Sequence, residues 1–186
     1  MVPLKWDGKK GLSRYSSCMR YFVFSDLHGS ASALKKALAL PSFQKADRIL
    51  LLGDILRGGY EGASSECAAL LKENKDRILA VRGNCDDESD AETLGFPLPE
   101  FRGFSLGMHR VHLSHRPQVF SFPPGDIVMN GHTHRKTLYR DAGVIYVNPG
   151  SIAYPRDGVA SYAVMDENGI RLHALEDHSV LLELNF

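Results

Sequence analysis

Arg20-Tyr21-Phe22-Val23-Phe24-Ser25-Asp26-Leu27-His28-Gly29 is the stretch from which the fold can be read. Its first six residues form a short, mainly apolar run, the pattern of a strand buried on both faces. That strand delivers a carboxylate and an imidazole at its end. A helix is predicted over 31–40, capped by Ser30 or Ser32, with Leu34 and Leu38 on one face and Pro41 as its stop. A second strand over 48–52 ends at Gly53-Asp54. After the loop Gly58-Gly59-Tyr60-Glu61-Gly62, a helix capped by Ser64 or Ser65 runs through Asn74 on a stripe of Cys67, Leu70 and Leu71. A third strand over 77–81 ends at Gly83-Asn84-Cys85-Asp86, and the acidic run 86–92 starts a short helix stopped near Gly95 and Pro97. Strand, helix, strand, helix, strand is the layout of a parallel sheet with crossover helices. Each strand carries polar residues at its C-terminal end, where open α/β sheets place their sites.

From Phe101 the pattern changes. Strands are predicted at 101–106, 110–114, 126–129, 136–140, 144–147, 160–165, 170–175 and 180–184, with turns at Gly103, Gly107, Gly143 and Asn168-Gly169. The chain is therefore α/β, and residues 19–186 read as a single domain made of two sheets. Residues 1–18, rich in Lys, Gly and Ser and without period, are expected to be a flexible N-terminal extension. Met19 offers a second translation start, and Trp6 could dock on the domain.

Lys and Arg together number 22, as do Asp and Glu, so the formal net charge is zero. A chain holding nucleic acid mainly through phosphate contacts usually has a basic excess, so no dedicated nucleic-acid role is expected. Cys18, Cys67 and Cys85 form no C-x-x-C pair and are odd in number, a reduced, cytoplasmic pattern. No apolar run approaches the roughly 20 residues needed to span a bilayer, and the N-terminus lacks a secretory apolar region.

Gly131-His132-Thr133-His134 follows the apolar Ile127-Val128-Met129. On a regular strand its two imidazoles would point to opposite faces, so a turn must bring them together, and a preceding glycine permits one. Asp26, His28, Asp54, Asn84, His115, His132 and His134 all stand at or just past predicted strand ends. Seven ligands are too many for one zinc and suit two ions ~3.5–4 Å apart, one carboxylate bridging. Mixed oxygen and imidazole donors favour Mn²⁺, Zn²⁺, Ni²⁺ or Fe over Ca²⁺. His109, His112, His173 and His178 have no partner motif and read as structural or surface residues.

Asp26-x-His28-Gly29, Gly53-Asp54, Gly83-Asn84-x-Asp86, His115 and Gly131-His132-x-His134 occur in the order found in the calcineurin-like metallophosphoesterases. Gly83-Asn84-Cys85-Asp86 and Asn148-Pro149-Gly150-Ser151 make the chain similar to the small YfcE-type phosphodiesterases of that superfamily. The resemblance implies a four-layer α/β/β/α sandwich, two mixed sheets flanked by helices. It implies a first metal held by Asp26, His28 and His134, a second by Asn84, His115 and His132, and Asp54 bridging them. The implied cofactors are two divalent ions, Mn²⁺ foremost, with Zn²⁺, Ni²⁺, Fe or Mg²⁺ as alternatives. The implied activity is hydrolysis of small or nucleotide-like phosphate esters by a hydroxide shared between the metals, with Asp54, Asn84 and His115 catalytic. Asp86 and Asn148 are expected behind the ligands, orienting loops.

Two departures bear on this expectation. Relatives with histidine after the asparagine can protonate the leaving group, whereas here that position is Cys85, a weaker acid at neutral pH. Many relatives read His-Gly-His where this chain reads His115-Arg116-Pro117, and Arg116 is expected to bind the substrate phosphate. A phosphomonoesterase would need further cations, for which Arg57 and Arg116 are the loop candidates. The rival from another class is a protein-binding scaffold of the same fold, like the retromer subunit Vps29, but competent ligands at all seven positions favour catalysis. Phe120 and Phe122 could serve substrate access or contact between copies of a homo-oligomer.

Overall fold

Residues 20–25 form the strand the sequence leads one to expect, β1 (Tyr21–Phe24), every residue of it buried. It lies parallel to β2 (Arg48–Leu51), and β2 lies parallel to β3 (Ile78–Ala80). These strands belong to a computed structural model that describes residues 19–59 and 64–186. The expectations for residues 1–18 and for Tyr60 to Gly62 fall outside that range.

Helices α1 (Ala31–Leu38), α2 (Pro41–Gln44), α3 (Ser64–Lys72) and α4 (Glu88–Leu94) all precede the first strand of the second half. Ser30 is the cap of α1, its side chain accepting from the Ala33 N–H. Pro41 follows α1 and occupies the first turn of α2, where its missing N–H costs nothing. Ser64 is the first helical residue of α3, so the cap position before it lies outside the described residues. Helix α4 is held by a capping box between Asp87 and Asp90 and ends on Gly95 in the left-handed region.

The second half supplies β4 (Phe101–Leu106), β5 (His109–Ser114), β6 (Ile127–Met129), β7 (Lys136–Asp141), β8 (Val144–Pro149), β9 (Ser161–Asp166), β10 (Gly169–Ala174) and β11 (Val180–Asn185). One sheet has six strands in the order β11-β10-β9-β1-β2-β3; the other has five, β4-β5-β6-β8-β7. Strands β9 to β11 therefore return to the first sheet, β9 pairing antiparallel with β1. Both sheets are mixed, since β5, β6 and β8 run parallel while β4 and β7 are antiparallel to their neighbours.

Alternation along the strands sorts the core into two layers. Phe22, Phe24, Ile49 and Leu51 face the helices, where Leu34, Cys67 and Leu71 meet them. Tyr21, Val23, Leu50 and Leu52 face Val111, Leu113, Ile127, Met129 and Val147 of the other sheet. Cys67 is fully buried, as its place on the stripe implied. The expected sandwich of two mixed sheets is present. Among the described residues its helices flank only the six-stranded sheet, because the later connections contain none. The outer side of the five-stranded sheet instead carries aromatic pairs: Phe101 with Phe120, His112 with Phe122, and Tyr139 stacked on Tyr146. No helix of the described residues is long and apolar enough to cross a membrane.

Candidate metal centre

Asp26, His28, Asp54, His132 and His134 share a backbone peculiarity: each is a non-glycine residue with φ between 49° and 67°. L-residues avoid this left-handed region, so five such residues at one place mean the surrounding structure holds them there. Between the ends of β1 and β2 the hold comes from Asp26 N–H to Gly53 O at 3.1 Å, His28 N–H to Asp54 O at 2.8 Å and Gly29 N–H to Ile55 O at 2.9 Å. Gly131 has no left-handed φ. Its requirement is space, since a Cβ there would meet Ser25 Oγ and Asp26 Oδ2. The turn conformation falls to the two histidines instead.

Three imidazoles are fixed in the same way. His28 Nδ1 donates to Arg57 O at 2.6 Å, His115 Nδ1 to Leu52 O at 2.7 Å, and His134 Nδ1 to Tyr154 O at 2.7 Å. A carbonyl can only accept, so Nδ1 carries the proton and each Nε2 presents a lone pair inward. His28 and His134 bring their Nε2 atoms to 3.2 Å of each other. Asp26 Oδ1 stands 3.3 Å from His134 Nε2, is fully buried, and has no hydrogen-bond donor. Acceptors crowded together without donors leave a place suited to a cation.

Asp54 lies between the two groups. Its Oδ2 is 3.7 Å from His28 Nε2 and 3.4 Å from His115 Nε2, while Oδ1 accepts the Cys85 N–H at 2.8 Å. Burial works to raise its pKa, but the adjoining His115, the hydrogen bond from the Cys85 amide and the nearby His28 hold it at about 2. Burial also disfavours charge on His115, yet Asp54 raises its pKa on balance. Asp26 raises that of His134. His132 moves the other way, lowered by burial and by the neighbouring His115 and Arg116.

All seven expected ligands converge. Donor atoms of Asp26, His28 and His134 lie within 4.8 Å of one another, as do those of Asp26, Asp54 and His115. Asn84 Oδ1 is 3.1 Å from His115 Nε2, and the His132 ring is 5.1 Å from that of His115. Cys85 Sγ also falls within 4.8 Å of donor atoms of His28 and Asp54. Its thiol is pushed up to about 11, by burial first and then by Asp54.

Asp86 and Asn148, expected behind the ligands, both bond to nearby backbone. Asp86 accepts the Ile55 and Gly83 N–H groups, both at 2.8 Å, and so ties the ends of β2 and β3 together. Its pKa is raised by burial, against those two bonds. Asn148 Nδ2 contacts Gly131 O at 2.7 Å, Thr133 Oγ1 at 3.0 Å and Asn130 Oδ1 at 3.1 Å, fixing the loop that bears His132 and His134. Ser151 Oγ donates to Asp26 O at 2.8 Å and accepts the Tyr154 N–H at 2.7 Å.

A cavity of about 300 Å³ opens over these ligands. Arg116 is exposed and is absent from its lining, whereas Tyr154 and Arg156, not anticipated from the sequence, contribute to it. Arg57 is engaged elsewhere, paired with Asp87 at 2.7 Å and Asp90 at 2.9 Å. The only signal for Tyr154 and Arg156 was their position just after Asn148-Pro149-Gly150-Ser151.

Comparisons with known proteins show the family. A family model described as the calcineurin-like phosphoesterase superfamily domain matches residues 19–169. Phosphodiesterase YfcE of Escherichia coli strain K12 is 31% identical over 179 residues, covering 89% of this chain and 97% of that protein. The solved structure of YfcE, a phosphoesterase from E. coli, superposes with a TM-score of 0.84 at 29% identity, covering 90% of this chain and 99% of that one. Vacuolar protein sorting 29 from Cryptosporidium parvum has the same fold, with a TM-score of 0.63 at 22% identity and coverage of 91% and 99%.

Proposed function

Because the chain belongs to the calcineurin-like phosphoesterase superfamily, we propose that it is a metal-dependent phosphodiesterase acting on small or nucleotide-like phosphate esters. The observation that carries this reading is the set of inward lone pairs: three imidazoles with Nδ1 committed to carbonyls, facing a buried Asp26 oxygen without a donor. Asp26, His28 and His134 would hold one divalent ion and Asn84, His115 and His132 a second, with Asp54 between them. Bound ions supply a water of lowered pKa and offset the charge of the phosphate oxygens. Mixed oxygen and imidazole donors favour Mn²⁺, with Zn²⁺, Ni²⁺, Fe and Mg²⁺ as competitors.

The chain's own residues do the positioning. Leu52, Arg57 and Tyr154 carbonyls keep the three rings oriented, Asp86 fixes the spacing of two strand ends, and Asn148 holds the histidine loop. Asp54 stays ionised at any pH at which the enzyme would work, since its carboxyl is held at about 2. The thiols of Cys67 and Cys85, in no disulfide, support a cytoplasmic setting.

The test is hydrolysis of bis-p-nitrophenyl phosphate against p-nitrophenyl phosphate, with each metal in turn and Asp54→Ala as control. Diester turnover that needs metal and falls by at least ~10³-fold in the variant is the expected result. Faster monoester turnover would move the assignment to a phosphomonoesterase. Metal binding without hydrolysis of either ester would favour the scaffold.

A further inference from the structure

Arg156 lines the cavity above the ligands, yet among the described residues its guanidinium forms no ion pair and no hydrogen bond. Other arginines near carboxylates are taken: Arg57 by Asp87 and Asp90, Arg82 by Glu100, Arg110 by Asp126, and Arg171 by Glu183. The backbone of Arg156, by contrast, is pinned on both sides. Its N–H donates to His134 O at 2.9 Å. The next residue, Asp157, accepts the Lys136 N–H at 2.8 Å and pairs with Lys136 Nζ at 2.7 Å. Upstream, Tyr154 is tied by its N–H to Ser151 and by its carbonyl to His134. A cationic side chain is thus mounted on a fixed backbone, one hydrogen bond from a candidate metal ligand, with its donors unspent. Such an arrangement lowers the ordering cost of binding an anion.

We propose that Arg156 binds and orients the substrate, its guanidinium pairing with the non-bridging oxygens of a phosphodiester held over the Asp26, His28 and His134 side of the site. This rests on the phosphodiesterase reading and adds to it the residue that meets the substrate's charge. A diester carries one negative charge shared over two non-bridging oxygens, and a guanidinium presents one positive charge on a planar two-pronged donor face. Lysine would match the charge but not the fork.

The experiment compares wild type, Arg156→Ala, Arg156→Lys and Arg135→Ala, all reconstituted with Mn²⁺. It reads three quantities: kinetics on bis-p-nitrophenyl phosphate, affinity for inorganic phosphate by calorimetry, and metal bound per chain. Arg135 is an exposed neighbour outside the cavity lining and serves as a charge-matched control. Arg156→Ala is expected to lower kcat/KM and phosphate affinity by about ten- to a hundredfold with metal content unchanged, and Arg156→Lys to recover only part. Arg135→Ala is expected to stay within about threefold of wild type. Equal phosphate affinity in wild type and Arg156→Ala would overturn the assignment, as would equal losses in Arg135→Ala, which would mean a general field. Absence of diester turnover in wild type would remove the phosphodiesterase reading alone. The phosphate affinities would still decide Arg156.

Discussion

At Gly131 a Cβ would stand 2.9 Å from Asp26 Oδ2 and closer still to Ser25 Oγ, so the histidine loop and the end of β1 touch backbone to side chain. Gly131→Ala is therefore expected to cost about 1–3 kcal/mol, read as a lower Tm, and to weaken metal binding by displacing Asp26. Cys85 gives the opposite expectation. With its thiol held near 11, it stays protonated and is a poor proton donor at neutral pH. Cys85→Ala should leave kcat on bis-p-nitrophenyl phosphate, whose leaving group needs little help, within about tenfold of wild type. A loss nearer the ~10²–10⁴-fold that general acids contribute would show that the thiol does protonate the leaving group. The seven candidate ligand positions were legible in the sequence because Asp, Asn and His at strand ends advertise their chemistry. Arg156 and Tyr154 were not, because an arginine in a loop looks like any solvated arginine until the fold closes a cavity beneath it. For the same reason Arg116, next to a candidate ligand in sequence, was the natural choice, although it does not line that cavity.

The segment carrying Arg156 is kept in place by Asp157, whose carboxyl is lowered chiefly by its hydrogen bonds to Lys136 and that residue's charge, against the opposing effect of burial. A carboxyl whose folded pKa lies below its unfolded value adds stability that is complete above the unfolded value. That stability is lost as pH falls through the folded one. Asp157→Asn should thus lower Tm by about 2–6 °C at pH 7, with the deficit shrinking as pH falls below the ordinary 3.8. Thermal unfolding of the pair at pH 7 and pH 3 measures it, and a constant deficit would assign the stabilisation to shape and not to charge. At this scale the strands themselves were readable from length, alternation and turn residues. Their partners were less so. Strands β9 to β11 carry the same marks as β4 to β8, and nothing local distinguishes a strand that continues the second sheet from one that returns to pair with β1.

Across the whole molecule, two trios of parallel strands face one another: β1, β2 and β3 in one sheet, β5, β6 and β8 in the other. Their C-terminal ends meet at one edge of the sandwich. Asp26, Asp54 and Asn84 come from the first trio, His115, His132 and the Asn148 to Ser151 turn from the second. That is why residues scattered over most of the chain could be recognised as one constellation before any contact was known. It also gives bound ions a mechanical meaning. His28 and His134 lie 106 positions apart and belong to different sheets, yet their ring nitrogens are within 3.2 Å. An ion shared by both is a cross-link across the seam of the sandwich, closing a loop of that length much as a covalent staple would. The metal would then do double duty as a rivet between the two halves, and stripping it would loosen the joint as well as silence the chemistry.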